Sequence, residues 1–134
     1  MDVDAALARW HSVVEHRAAA AIPSLLADDV VFRSPAVHTP QRGRPVVTAY
    51  LTAALRVLGP ELEYHREWRR SDSVVLEFTT EVAGMAVHGV DMITWGEDGR
   101  ITDFTVMVRP AKGLEALVER MGAELEQMRE RGGP

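Results

Sequence analysis

Near the N-terminus, Ala6, Leu7, Trp10, Val13 and Val14 recur at the spacing of one buried helical stripe, which predicts an amphipathic helix from Val3 to about Arg17. Asp2 precedes the stripe, where a carboxylate can accept the free N–H groups of the first turn. A shorter helix is expected from Ala18 to Ala27, with Pro23 near its first turn, where a missing N–H is tolerated. Asp28-Asp29 then interrupts the helical pattern. Val30-Val31-Phe32 reads as a strand that Pro35 terminates. Residues Ala36 to Arg44 contain Pro40 and Gly43 and read as a loop. Pro45 opens a third helix with the stripe Val47, Tyr50, Leu51, Ala54, Leu55 and Leu58, closed by Gly59-Pro60.

The second half of the chain changes period. Leu62 to Arg69, Val74 to Val82, Met85 to Trp95 and Ile101 to Val108 read as a meander, punctuated by Ser71-Asp72, Ala83-Gly84 and Asp98-Gly99. Asp98-Gly99 is the clearest hairpin signal, because both residues tolerate the positive φ of a tight antiparallel turn. Finally Leu114, Leu117, Val118, Met121, Leu125 and Met128 fall on one side of a C-terminal helix whose other positions are largely charged. Such a helix packs on its own domain or on a partner subunit. The order of elements is ααβαββββα.

With 134 residues the chain has the length of one domain, 1–134, whose core is expected over 3–110 with a helical extension over 111–130. Disorder is expected only in the tail Gly132-Gly133-Pro134. The absence of cysteine removes disulfides, thiolate nucleophiles and cysteine zinc sites. The acidic start Met1-Asp2-Val3-Asp4 does not resemble a signal peptide and no apolar run is long enough to span a membrane, so a cytoplasmic protein independent of membranes is expected. A net charge of −5 without a basic stripe argues against nucleic acid as a partner. Phosphate-loop, dinucleotide and nucleophile-elbow motifs are lacking, and His11 and His16, five apart, do not share a helical face. Neither a cofactor nor a metal is expected.

Leu26-Ala27-Asp28-Asp29-Val30, Ser34-Pro35, Gly43-Arg44, Gly89-Val90-Asp91 and Asp98-Gly99-Arg100-Ile101 follow one another in an order that resembles the nuclear-transport-factor-2-like superfamily. The nearest resemblance is to its polyketide-cyclase-like (SnoaL-like) branch, over about residues 3–110. It implies an α+β fold, a cone-shaped, curved, mostly antiparallel sheet wrapped around N-terminal helices. The cone of such proteins admits a small apolar ligand, and many are homodimers through the outer sheet face. The C-terminal helix after Pro110 is an extension beyond the usual last strand. In ketosteroid isomerase, a member of the superfamily, three groups act together. Its protonated aspartate falls on Asp91, its catalytic tyrosine on Trp10 and its general-base aspartate on Ser34. Isomerisation needs a base near the substrate carbon and a hydroxyl donor near the carbonyl. Ser34 unaided is no such base and an indole N–H is too weakly acidic to replace a phenol, so the sequence argues against ketosteroid isomerase chemistry.

Asp91 lies between Val90 and Met92 in an otherwise apolar strand, where an unpaired carboxylate is costly. Facing a cavity it would have a raised pKa and could act as acid or base; alternatively it is paired structurally with Arg44 or His38. Alternation puts Ile93 and Trp95 on its face, hairpin pairing adds Phe104, Val106 and Val108, and the first strand adds Val30, Phe32 and Ser34. Trp10, Tyr50 and Arg44 complete the candidate ligand-binding set, although Arg44 could equally cap its helix. His38 is either an acid–base partner of Asp91 or a solvated loop residue. Glu77 and Glu81 mark a solvated sheet face. Three functions follow: a binder of a small, mostly apolar molecule; a cofactor-independent acid–base enzyme (cyclase, isomerase or hydrolase) using Asp91 with His38 on a polyketide- or terpenoid-like substrate; or a non-catalytic dimerisation module whose cone is filled where Phe32, Trp10 and Trp95 meet.

Overall fold

The computed structural model describes residues 1–132. The elements are α1 (Val3–His16), a 3₁₀ turn (Ala19–Ala21), α2 (Ile22–Leu25), β1 (Leu26–Arg33), β2 (Gln41–Arg42), α3 (Arg44–Leu58), β3 (Glu63–Arg69), β4 (Ser73–Val82), β5 (Met85–Trp95), β6 (Ile101–Arg109) and α4 (Ala111–Gly132). Asp2 caps α1 as its position suggests, its Oδ1 accepting the N–H groups of Asp4 at 2.9 Å and Ala5 at 3.2 Å. Gly132, expected in a disordered tail, is the last residue of α4; Gly133 and Pro134 lie outside the described residues.

The second helix is shorter than its pattern suggests. Leu26 pairs with Ile101 of β6, so the chain leaves helical geometry after a single turn and the strand begins before Asp28-Asp29. Those carboxylates stay exposed on a bulge, where the register passes from Leu26 opposite Ile101 to Val31 opposite Asp103. The expected loop over 36–44 contains the two-residue strand β2, too short to leave a periodic trace, which pairs Val31 with Arg42. At Asp98-Gly99 the hairpin forms, but only Gly99 takes a positive φ, of 79°, and the turn is closed by Gly96 N–H donating to the Arg100 carbonyl.

All six strands form one curved sheet in the order β2-β1-β6-β5-β4-β3. It is antiparallel except where β1 runs parallel to β6, so both chain halves meet in its middle. Its inner face packs on α1 and α3 through Leu7, Trp10, Val47 and Leu51, against Phe32, Leu76, Ile93 and Phe104. Register within the β5–β6 hairpin places Val106 opposite Asp91 and Phe104 opposite Ile93, as alternation requires.

Gly89 allows the close approach that the inner face needs. A Cβ there would lie 2.4 Å from the Met107 carbonyl oxygen and 2.7 Å from the Phe78 ring, which occupies the missing side chain's place. Because backbone cannot yield as a flexible side chain can, Gly89→Ala is expected to destabilise the protein by about 1–3 kcal/mol, the range for overpacked sites, measured as a lower urea midpoint at unchanged m-value.

Candidate functional site

Between the inner sheet face, α1, α3 and α4 lies a cavity of about 290 Å³, so the cone is not filled by its own side chains. Its walls are almost wholly apolar. Trp10 from α1, Phe32 from β1, Tyr50 from α3 and Phe104 from β6 supply an aromatic cluster. The Trp10 and Phe104 rings meet edge-on at 5.0 Å, while Phe32 lies 5.7 Å from Tyr50 and 5.9 Å from Phe104. Contacts of this kind hold flat rings in fixed orientation. Val106 and Ser34 also line the space, and α4 closes one side with Leu117, Val118, Met121 and Leu125. The C-terminal stripe therefore packs on its own domain, as a wall of the cavity.

Asp91 reaches this space from β5 while only 5% exposed. The expected partners do not meet it. Arg44 turns towards β1, its Nε donating to the Leu26 carbonyl at 3.2 Å and its Nη2 lying 2.5 Å from Asp28, so it ties the first turn of α3 to the sheet. His38 is an exposed loop residue and lines no part of the cavity. Asp91 is served instead by Tyr64, whose hydroxyl donates to its Oδ2 at 2.6 Å and accepts the indole N–H of Trp10 at 3.1 Å. Indole has no acceptor lone pair in its plane, so donation runs one way, from Trp10 to Tyr64 to Asp91. This is the carboxyl's one hydrogen bond among the described residues, and it leaves Oδ1 free towards the cavity.

Tyr64 is absent from the candidate residues derived above because the pattern around it is misleading. In Glu63-Tyr64-His65-Arg66-Glu67-Trp68-Arg69, strict alternation gives Tyr64 and Trp68 one face. A bulge intervenes: Tyr64 pairs with inward-facing Phe78, but Trp68 with outward-facing Val75. The tyrosine enters the core and the tryptophan remains 51% exposed. The signal available was chemical, an aromatic residue with a polar tip in a strand otherwise rich in charge.

Other expectations also change. Ile93 and Trp95 share the face of Asp91 but are consumed in the packed core beneath α1, and Val108 packs with Phe78, Val82 and Val87; none of the three lines the cavity. Glu77 is not solvated. It accepts Arg66 Nε and Nη2, both at 2.7 Å, and lies 2.8 Å from His88 Nε2, and long side chains from the flanking strands cover it on the outer face. Those bonds hold its carboxyl well below the usual range. Glu81, four residues on, is exposed as expected. Among the described residues, no histidine lines the cavity and no three His, Asp or Glu side chains gather as a metal site.

Residues 7–104 match the SnoaL-like domain. The chain belongs to that family. A structure of a steroid delta-isomerase from Pseudomonas aeruginosa is similar to it, with 45% identity, 92% of this chain and 91% of that one covered, and a TM-score of 0.89. So is an uncharacterised bacterial protein with a cystatin-like fold from Silicibacter pomeroyi, at 35% identity over 94% and 88%, TM-score 0.86. A protein of unknown function from Mesorhizobium loti shares the nuclear-transport-factor-2-like fold at 20% identity over 80% and 90%, TM-score 0.69. No curated protein matches the chain.

Burial raises the Asp91 pKa from 3.8 to about 7, against the smaller lowering effect of the Tyr64 hydrogen bond. Tyr64 is pushed well above 10, first by burial and then by the neighbouring carboxylate. The raised folded pKa sets the sign: between about pH 4 and 7 the native state holds a proton that the unfolded chain has lost, so stability falls as pH rises through that window. The shift corresponds to about 4 kcal/mol. Asp91→Asn retains an acceptor for Tyr64 without this charge. The variant is expected to exceed the parent in stability at pH 8 by a few kcal/mol and to approach it at pH 4. Urea unfolding of both proteins across that range measures the difference; parallel curves would contradict it.

Proposed function

We propose that the protein binds a small, mostly apolar molecule carrying one ketone-like oxygen, with its rings among Trp10, Phe32, Tyr50 and Phe104 and its oxygen at Asp91. The observation that carries this reading is a buried carboxyl with one oxygen bonded to Tyr64 and the other open to an apolar cavity. In its protonated form Asp91 donates from the open oxygen to a ligand carbonyl, while Tyr64 bonds the other oxygen. A site of this kind suits a neutral ligand, since a second charge in apolar surroundings would be left unpaired.

A second reading is cofactor-independent isomerisation. It is favoured by the name of the Pseudomonas relative and by an Asp91 pKa near 7, where a carboxyl can both give and take a proton. The phenol of Tyr64 restores, from a different element, the hydroxyl whose loss at Trp10 counted against that chemistry. The base remains missing, because Ser34 Oγ accepts the Ala36 N–H at 3.0 Å and no second carboxylate, histidine or lysine lines the cavity among the described residues. Binding is therefore the stronger reading.

The test uses 2-acetylnaphthalene followed by protein tryptophan fluorescence. Its affinity is expected to fall as pH rises through about 7, by up to tenfold per pH unit, because only protonated Asp91 donates. Asp91→Asn, whose amide donates at every pH, is expected to bind with no such slope. A pH-independent parent would remove Asp91 from the site. Incubation of a β,γ-unsaturated steroid ketone with parent and variant tests the second reading: conjugated product from the parent alone would favour it.

The outer sheet face supports association with a second copy in the cytoplasm. Trp68 and Met107 are 51% and 58% exposed there, beside half-buried Val75, Val90 and Met92. Sedimentation equilibrium is expected to give a dimer, and Trp68→Asp to shift it at least tenfold towards monomer; a monomeric parent would end this proposal.

A further inference from the structure

The cavity meets solvent at a definable place. Among its lining residues the exposed ones are Ala36 and Val37 in the segment after β1, and Val118 and Gly122 on α4. Val37 and Val118 are 41% and 40% exposed, so apolar side chains line the opening as well as the interior.

Gly122 is the unusual member. Glycine is a poorer helix former than alanine, and here it occupies the middle of a 22-residue helix. Elsewhere in that helix a glycine has a packing reason: a Cβ on Gly113 would lie 2.3 Å from the Ala86 carbonyl oxygen. At Gly122 a Cβ would meet nothing within 4 Å, and the backbone has no positive φ that would require glycine. Neither close packing nor backbone conformation explains its presence. Its position offers a reason: it lines the cavity at an exposed edge, and a side chain there would take up space that is otherwise open.

We propose that Gly122 is a gatekeeping residue that keeps open the ligand's route into the cavity, between α4 and the Ala36-Val37 segment. This rests on the binding reading above and adds the path and the residue that limits it. Gly122 selects by size: flat ring systems pass, and a bulky side chain in its place bars them without altering the interior contacts made by Trp10, Phe32 and Asp91.

The test is stopped-flow fluorescence with naphthalene and 2-acetylnaphthalene on the full chain. Gly122→Phe is expected to slow association and dissociation together, by tenfold or more, and to leave Kd within about threefold, since a barrier changes both rates and not their ratio. Gly122→Ala is expected to raise Tm and to slow both rates by a smaller factor than Gly122→Phe does, its methyl meeting no protein atom but taking up part of the opening. Ala123→Phe, on the exposed neighbour that does not line the cavity, controls for an added aromatic ring. Gly122→Phe rates equal to those of the control would overturn the proposal. So would faster dissociation at unchanged association, which would place the residue in the ligand's own space. If the parent binds naphthalene as tightly as its ketone, the role of Asp91 fails while the route is still tested by the naphthalene rates; if it binds neither, both fall.

Discussion

A carboxyl group facing an apolar cavity is expensive in every state except one, protonated and hydrogen-bonded, and much of this structure can be understood as meeting that condition. Asp91 is carried on a central strand, where neighbours on both sides fix its direction. Tyr64 reaches it from the sheet edge, and Trp10 reaches Tyr64 from α1. Sheet edge, sheet centre and helix are thus joined by a line of two hydrogen bonds inside an otherwise apolar region, where such bonds strengthen one another. The aromatic rings that enclose the cavity also give the carboxyl apolar surroundings, in which its charged form is disfavoured.

The neighbouring strand offers the contrast. Glu77 lies one position beyond the residue paired with Asp91 and so faces the opposite side of the sheet. Both carboxyls are shielded from solvent, yet their pKa values move in opposite directions, because one has apolar walls and a phenol while the other has Arg66 and His88. Burial alone does not decide protonation; the charge of what does the burying decides it. The inner carboxyl is suited to a neutral role, and the outer one fastens three adjacent strands as an anion.

Much of the fold was legible in the sequence because it rests on periodicity. The stripes of α1, α3 and α4, the four meander strands and the β5–β6 register follow from spacing alone, and the order of short motifs pointed to the cone-shaped family. The site was legible in part. Alternation from Asp91 located Phe104 and Val106, but could not distinguish those bordering open space from Ile93 and Trp95, which are consumed in packing. That division depends on where α1 and α4 lie over the sheet, a property of tertiary packing. Pairing was harder still: Arg44 and His38 are near Asp91 in the motif order, whereas the actual partner arrives from a strand whose register shifts by one residue. A bulge leaves almost no mark on hydrophobic alternation, and it decides which aromatic side chain enters the core.

That single extra residue in β3 gives one short strand two jobs. Before it, the side chain at 64 points to the cavity; after it, the side chain at 68 points to the outer face, where the Arg66 guanidinium lies 5.3 Å above its ring. A regular strand of the same composition would commit both aromatics to one side and leave the other without any. The insertion therefore acts as a phase shift between the polar group inside the cone and the exposed aromatic outside it, and the two can vary independently by substitution but are tied together against any change in the strand's length.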